Sequence, residues 1–263
     1  MNLVLTDYHD CIGTITFNNT AKRNCLSNEL LNEMVGALAE MKHLKARTVI
    51  IRAEKGAKVW SSGRDIHALP DPGRDPLSYH DPLELVLRKI QHFPAPVIAM
   101  IEGGVWGGAC DLAFTCDMAI GCPTASFTMT PARIGVPYNS AGILHFINIV
   151  GMRLAREMFF TAQPINGERA HAIGILNHLV RVEELETFTY NVARQIAENS
   201  PLSIWVMKEQ LRILANSHPL SPETFERIQG LRQQVYESDD YKEGKNAFLE
   251  KRKPAMNYHH LLC

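Results

Sequence analysis

The sequence predicts an α/β fold with a helical C-terminal region, and three observations carry this prediction. Short apolar segments, such as Arg47 to Ala53 and Pro96 to Ile101, alternate with helical patterns through the first part of the chain. From Glu183 onward the pattern is helical throughout. A chain of 263 residues with 46% hydrophobic residues has ample material for a core. We therefore expect an α/β core over residues 1–200 and a helical region over residues 201–263.

The first half of the chain predicts strands and helices in alternation. Residues 2–7 and 11–17 flank a turn and favour two paired strands. Ser27 is typical of a helix N-cap, and apolar residues then recur at helical spacing to Met41. A strand at 47–53, a helix at 83–93 that ends before two prolines, and a strand at 96–101 follow.

The second half begins with short strands and continues with helices. Residues 116–122 and 125–129 are apolar runs between turn formers, and 140–149 and 153–160 have helical periodicity. Asn166 is typical of the cap of a short helix to Ala172, before a strand at 177–182. The predicted later helices cover residues 183–198, 202–216, 222–238 and 240–250, and prolines separate the first three of them.

Composition excludes several classes of function. The formal net charge is -1 and no basic stripe occurs, which argues against a nucleic-acid surface. Apolar stretches are too short for a membrane span, and the first residues lack the pattern of a signal peptide. Six cysteines in such a chain predict free thiols rather than a disulfide framework. We expect a cytoplasmic protein without membrane or nucleic-acid partners.

A glycine-rich turn is the strongest local signal. Four glycines lie between 103 and 108, after an apolar strand pattern and before a helical one. Glycine lets a ligand approach the backbone closely, and the first turn of a helix leaves N–H groups unpaired. Such a turn is able to bind an anion, although close helix–strand packing is the better explanation of the glycines taken alone.

A second turn of the same kind precedes it. The stretch Val59 to Ile66 follows the strand at 47–53, and Gly63 again stands before a helical turn. Two strand ends that each present a free N–H group are able to hold one oxygen atom between them. The two stretches together therefore predict a backbone oxyanion hole.

These motifs resemble those of the crotonase superfamily, the enoyl-CoA hydratase/isomerase group. The pattern includes Ser62-Gly63-Arg64-Asp65-Ile66, then Glu102 to Leu112 with its glycines, then Cys116-Asp117-Met118-Ala119-Ile120, and the resemblance spans nearly the whole chain. It implies a core of repeated ββα units arranged as a spiral. It also implies C-terminal helices that assemble a homotrimer or homohexamer, and an acyl-CoA thioester held by the N–H groups of Arg64 and Gly108.

The side chains of the site depart from those of hydratases. Hydratases of this superfamily use two glutamates, and the matching positions here are Asp111 and Pro131. Proline transfers no proton, so hydration by two carboxylates is not supported. The residues Thr130 and Tyr138, with the segments around 74–79, 225–230 and 248–254, are similar to those of bacterial methylmalonyl-CoA decarboxylases.

That similarity implies loss of CO2 from methylmalonyl-CoA or a close malonyl thioester, which gives the enolate without a general base. It assigns Tyr138 to orient the substrate carboxylate and Thr130 to contact the substrate near the same carbon. It implies no cofactor, since coenzyme A is part of the substrate, and no histidine spacing predicts a metal site. We expect the Arg64 side chain to turn outward, toward Asp65 or the phosphates of coenzyme A.

The resemblance also implies a set of residues that bind coenzyme A. Basic residues precede the family's segment beside the adenine, and the backbone after the second strand lines the thioester and pantetheine. The implied set is Lys22, Arg23, Cys25, Ser62, Gly63, Arg64, Asp65, Ile66, Gly108, Thr130 and Lys251.

Two other functions fit parts of the same pattern. One is a hydratase or isomerase in which Asp111 alone does the acid–base work. The other is a CoA-binding scaffold without turnover, although a binding module has no use for an oxyanion hole.

Overall fold

The structure, a computed structural model, describes residues 2–217 and 219–256. It is an α/β fold with two sheets, as the sequence predicts. The first sheet has six strands in the order β1-β2-β3-β5-β7-β10, parallel except for the β1–β2 pair. Its strands are β1 (Val4–His9), β2 (Ile12–Phe17), β3 (Thr48–Ala53), β5 (Val97–Ile101), β7 (Met118–Gly121) and β10 (His178–Leu179).

Both faces of this sheet are covered, which explains why its central strands are apolar along their whole length. Along β3, Val49 and Ile51 face the main core, whereas Ile50 faces a second cluster. The second cluster includes Leu185 and Ala193 of a helix, α6 (Leu185–Glu198), that packs across the far face. Successive side chains of β3 therefore point into two different cores, and neither face of the strand is exposed to solvent.

The smaller sheet positions the candidate site. It has the order β4-β6-β8-β9, in which β4, β6 and β8 run parallel. Neighbouring parallel strands bring their carboxyl ends to one edge, so the segments that follow β4, β6 and β8 lie side by side. The strands are β4 (Val59–Ser61), β6 (Gly104–Trp106), β8 (Ser126–Thr128) and β9 (Ile165–Asn166).

The helices begin where capping residues predict. Ser27 accepts a hydrogen bond from Leu30 N, and Asn166 accepts one from Arg169 N. The remaining helices are α1 (Asn28–His43), α2 (Pro82–Gln91), α3 (Gly108–Thr115), α4 (Ser140–Thr161), α5 (Gly167–Ala172), α7 (Pro201–Ala215), α8 (Pro222–Tyr236) and α9 (Asp239–Leu249).

Helix α4 corresponds to two helices predicted from the sequence. Gly151 lies inside it with φ 72°, a left-handed conformation that interrupts the helical backbone and that glycine adopts without strain. The two predicted segments are therefore real, and they meet at a kink.

The last helix packs closely against the α/β core. A Cβ on Gly244 of α9 would collide with the backbone of Ile134, and a Cβ on Gly135 would lie 2.7 Å from the Asp240 carbonyl oxygen. Residues 131–134 form a short 3-10 turn directly after Thr130. The C-terminal helices thus shape the chain beside the candidate site, while residues 257–263 of the predicted helical region lie outside the described residues.

None of the helices in the described ranges is long and apolar enough to cross a membrane. The described cysteines are free thiols, as predicted, and Cys263 lies outside the described residues.

Candidate active site

Two glycine-containing turns meet at the edge of the smaller sheet. Gly63 follows β4 with φ 82°, and a Cβ at this position would lie 3.0 Å from the Gly108 nitrogen. A Cβ on Gly108 would in turn lie 3.6 Å from the Arg64 nitrogen. The predicted pair of backbone donors, Arg64 and Gly108, is therefore brought together.

Both N–H groups are available to a ligand. Leu26 pairs with Arg64 as an isolated parallel bridge that uses Gly63 O and Asp65 N, which leaves Arg64 N–H on the other side. Gly108 is the first residue of α3, where N–H groups have no partner within the helix. Within the described ranges, neither N–H group donates a backbone hydrogen bond outside the helices and strands. The helix N-terminus adds partial positive charge at the same place.

The Arg64 side chain does not turn outward, and that expectation is wrong. Its guanidinium donates to Leu26 O at 3.0 Å, to Asn28 Oδ1 at 2.7 Å and to Asp81 Oδ2 at 3.1 Å. The side chain is 8% exposed. Asp81 is also the N-cap of α2. The ion pair therefore attaches the turn that carries the Arg64 N–H group to the start of α2.

Tyr138 belongs to a buried chain of hydrogen bonds. Its hydroxyl donates to Asp111 Oδ2 at 2.8 Å, and the other oxygen of Asp111 lies 2.6 Å from His145 Nδ1. Asp111 is fully buried, and the His145 side chain is 12% exposed. Gly142 makes this arrangement possible, because a Cβ there would collide with the Tyr138 ring and lie 2.8 Å from Asp111 Oδ2.

Burial and charge set the protonation of this chain. Burial, followed by the charge of Asp111 and its hydrogen bond, raises the pKa of Tyr138 well above its usual value, so the phenol stays protonated. For His145, burial acts to lower the pKa, but the charge and hydrogen bond of Asp111 and the charge of Glu84 together raise it. The imidazole is therefore held toward its cationic form beside Asp111.

Glu84 of α2 is a second buried carboxyl group near this chain. Its Oε1 accepts a hydrogen bond from Asn139 Nδ2 at 2.5 Å. Burial is the main cause that raises the pKa of Glu84 to about 7, with a further contribution from the charge of Asp111. Glu84 therefore loses its proton near neutral pH, inside the protein.

Replacing Glu84 with glutamine is expected to stabilise the protein at alkaline pH. The folded state binds the Glu84 proton more tightly than the unfolded state, because the pKa rises from 4.5 to about 7. The free energy of unfolding of the unmodified protein therefore falls as the pH rises across this interval, by up to about 3 kcal/mol. Glutamine keeps the oxygen that accepts from Asn139 and removes the titration.

Urea unfolding of both proteins at a series of pH values, at one protein concentration, measures this difference. Curves that stay parallel from acid to alkaline pH would show that Glu84 titrates normally.

Thr130 lies against the glycine turn. A Cβ on Gly107 would lie 3.0 Å from Thr130 Oγ1, so this hydroxyl is next to the residue that precedes the Gly108 donor. Beyond it lies an apolar cavity of about 290 Å³ whose lining includes Pro131, Val136, Tyr138, Ile143, Ile147 and Phe159. Tyr138 therefore lines this cavity, while Thr130 directly precedes Pro131 of its lining.

The predicted coenzyme A residues of the two early segments are adjacent. Ser62 N donates to Arg23 O, Leu26 N donates to Gly63 O, and Cys25 Sγ lies 3.6 Å from Gly63 O. The segments 22–26 and 62–66, which include Lys22, Asp65 and Ile66, therefore form one continuous strip of chain that leads to the donors.

A cavity of about 750 Å³ with a mixed polar and apolar lining lies beside this strip. Arg23, Lys55 and Lys58 lie along it, and Trp106 also belongs to its lining. The predicted Lys251 follows α9 with an exposed side chain, and it is not among the described residues that line this cavity.

Sequence reasoning missed Lys55, Lys58, Glu84 and His145. The two lysines follow β3, at the same kind of strand end that located the other turns. Gly142 and His145 lie three residues apart on one side of the first turns of α4, and Tyr138 lies just before that helix, a spacing that the sequence shows. No group of three metal-ligating side chains occurs in the described part of the chain.

The family model of enoyl-CoA hydratase/isomerase matches residues 7–258. The chain belongs to this family. It is 50% identical over 243 residues to the methylmalonyl-CoA decarboxylase of Escherichia coli strain K12, covering 92% of this chain and 93% of that relative. The resemblance found in the motifs is thereby confirmed, as is the crotonase fold.

Two solved structures of this family are similar over nearly their whole length. A methylmalonyl-CoA decarboxylase in complex with 2-nitronate-propionyl-CoA has a TM-score of 0.96 and 48% identity, covering 98% of this chain and 99% of that one. A methylmalonyl-CoA decarboxylase complexed with 2S-carboxypropyl-CoA has a TM-score of 0.96 and 47% identity with the same coverage. Both were solved with acyl-CoA analogues bound.

Proposed function

We propose that this protein decarboxylates methylmalonyl-CoA, or a close malonyl thioester, to propionyl-CoA, or its analogue, and CO2. The observation that carries the proposal is the pair of adjacent, unengaged N–H groups of Arg64 and Gly108. The identity to methylmalonyl-CoA decarboxylases supports the choice of substrate. The protein is accordingly a carbon–carbon lyase.

The reaction needs few groups from the protein. The bond between C2 and the carboxylate breaks, its electron pair moves into the thioester as an enolate, and CO2 leaves. One proton is then taken up at C2, which gives the propionyl thioester. The two N–H groups stabilise the enolate oxygen, each by about 3 kcal/mol. No cofactor is required, because the thioester accepts the electrons.

Tyr138 and Thr130 act on the carboxylate side of the substrate. The Tyr138 hydroxyl orients the carboxylate out of the plane of the thioester, so that the breaking bond overlaps with the carbonyl system. Thr130 contacts the same carbon from the glycine turn. The apolar cavity that Tyr138 lines favours loss of the charged carboxylate as neutral CO2.

Coenzyme A lies along the strip formed by residues 22–26 and 62–66. The pantetheine follows Cys25 and the backbone of Ser62 to Ile66, while Lys22 and Arg23 lie near the nucleotide. The cavity beside this strip adds Lys55 and Lys58 as partners for its phosphates. Lys251, which follows α9, is a further phosphate partner that the family resemblance implies.

The hydratase alternative is disfavoured by the state of Asp111. Both of its oxygens are engaged, one by Tyr138 and one by His145, and the residue is fully buried. A carboxylate so placed has no exposed surface from which to hold a water molecule that is to be added. Pro131, at the second position, transfers no proton.

Mass spectrometry of the CoA products tests the proposal. The purified protein is incubated with methylmalonyl-CoA and, separately, with crotonyl-CoA. We expect propionyl-CoA from the first and no hydration of the second. Hydration of crotonyl-CoA with methylmalonyl-CoA unchanged would refute decarboxylation in favour of the hydratase, and no change in either would indicate a binding protein.

We propose that the protein is a homo-oligomer and that it is located in the cytoplasm. Helix α7 has no buried residue over its length, and Leu202, Met207, Leu211 and Leu214 are each more than half exposed. Apolar faces of this extent mark interfaces between subunits. Because the family resemblance implies a homotrimer or homohexamer, we propose that one of these forms through residues 201–263, and sedimentation analysis should give three or six times 29.5 kDa. A monomer would contradict it.

A further inference from the structure

The Tyr138 hydroxyl has one proton to donate, and there are two acceptors for it: Asp111 and the substrate carboxylate. The structure gives this proton to Asp111 Oδ2, at 2.8 Å. A phenol donates only one hydrogen bond, so a hydroxyl held by Asp111 presents lone pairs to the site. Lone pairs repel a substrate carboxylate. For Tyr138 to hold that carboxylate, its proton must turn away from Asp111.

We propose that His145 is a positioning residue: as an imidazolium it balances the charge of Asp111, which frees the Tyr138 hydroxyl to turn from Asp111 to the substrate carboxylate. This inference rests on the proposed decarboxylation. It adds a residue to the site that acts through Tyr138 and does not itself touch the substrate.

The contacts of His145 fit this role. Nδ1 lies 2.6 Å from Asp111 Oδ1 and 3.3 Å from Thr115 Oγ1, and Nε2 lies 2.6 Å from the side-chain amide of Gln91. A half rotation of the Gln91 amide places its oxygen, instead of its nitrogen, next to His145 Nε2. The amide oxygen then accepts a hydrogen bond from the doubly protonated ring. Every ring nitrogen of the imidazolium therefore has an acceptor.

The surroundings make the balance of charge strong. Asp111 is fully buried, and interactions between charges increase as water is excluded. If the phenol proton left a carboxylate that had no other partner, a buried charge would remain unpaired, which is costly. With the imidazolium in place, Asp111 keeps one charged hydrogen bond when Tyr138 turns away.

This arrangement predicts a dependence on pH. The ionisable groups that act on His145 are Asp111 from α3 and Glu84 from α2, and Tyr138 shares the Asp111 carboxylate. The pKa of His145 is raised above 6.5, so the ring is protonated below that raised value and neutral above it. We expect kcat/KM to fall as the pH rises through it, because Asp111 then retains the phenol proton.

A double-mutant cycle tests whether His145 acts through Tyr138. The variants are His145→Gln, Tyr138→Phe and the pair. In the presence of Tyr138, we expect His145→Gln to lower kcat/KM about tenfold. In the Tyr138→Phe background the same change should have less than about a twofold effect. His171→Gln, on α5 with its ring bonded to the Leu176 carbonyl, is the matched control.

The pH profile separates positioning from structural support. The alkaline fall in kcat/KM should be present in the unmodified protein and in Glu84→Gln, and absent in Tyr138→Phe. The comparison of the unmodified protein with Tyr138→Phe needs no change at His145, so it remains decisive if His145→Gln does not fold. Equal losses from His145→Gln in both backgrounds, or an alkaline fall that persists without the phenol, would overturn the proposal.

A measurement without turnover separates this inference from the proposed reaction. An NMR titration of the His145 ring should give a pKa above 6.5 that falls in Asp111→Asn. If the pKa of His145 is raised but the protein does not release CO2, the ion pair of His145 with Asp111 is supported and the proposed decarboxylation is refuted. A protein that releases CO2 without coupling between His145 and Tyr138 would refute the positioning role alone.

Discussion

Replacing Gly108 with proline is expected to lower kcat by a factor of about 10² to 10³. Proline has no N–H group, so one of the two proposed donors to the enolate oxygen is lost. Gly108 is the first residue of α3, where proline is tolerated because that N–H group has no partner within the helix. The fold should therefore survive the change, and the loss should be in kcat more than in KM.

Gly108→Ala is the matched control for the volume of the new side chain. It keeps the N–H group and adds a Cβ that would lie 2.8 Å from Leu83 Cδ2, the end of a flexible side chain. Steady-state kinetics with methylmalonyl-CoA should show a much smaller loss for alanine than for proline. Equal losses for the two variants would mean that the space at Gly108 matters and its N–H group does not.

The second large effect is expected for Tyr138→Phe, which should lower kcat/KM about 10²-fold, a loss like that of one directed donor. Phenylalanine fills the same space against Phe146 and Phe159 but cannot hold the substrate carboxylate. Asp111 Oδ2 also loses its partner, which should cost about 1–3 kcal/mol of folding free energy.

Tyr190→Phe is the control for loss of a phenol hydroxyl. Its hydroxyl bonds Thr14 Oγ1 at 2.7 Å, far along the chain from the two donors. We expect a smaller change in unfolding free energy and unchanged turnover. Full activity of Tyr138→Phe would remove Tyr138 from the mechanism and with it the role of His145.

The fold was largely predictable because its signals are local. Ser27 and Asn166 cap helices as expected, and the apolar runs at 48–53 and 97–101 are strands. The joining of the two predicted helices into α4 was not evident, since the periodicity on either side of Gly151 does not reveal the angle at the kink. Pairing of β10 with β7 is likewise a long-range property that no local pattern encodes.

The site was predictable where the backbone forms it. The glycines that bring Arg64 N and Gly108 N together are visible in the sequence, because close approach requires them. Side-chain directions were not. Arg64 turns to Asp81 because a buried cap carboxylate offers it a partner, and His145 is useful only because folding brings it to Asp111. Both partnerships depend on tertiary contacts between separate segments of the chain.

The close packing of α9 also bears on how the protein is made. Gly244 lies against the backbone of Ile134, and the Tyr241 hydroxyl donates to Pro70 O at 2.9 Å. Two segments near the site therefore take their final shape against a helix that is synthesised after both of them. A chain synthesised only as far as α8 has the glycine turns but lacks the helix against which the segment after Thr130 packs, so we expect catalytic competence only after α9 has been made.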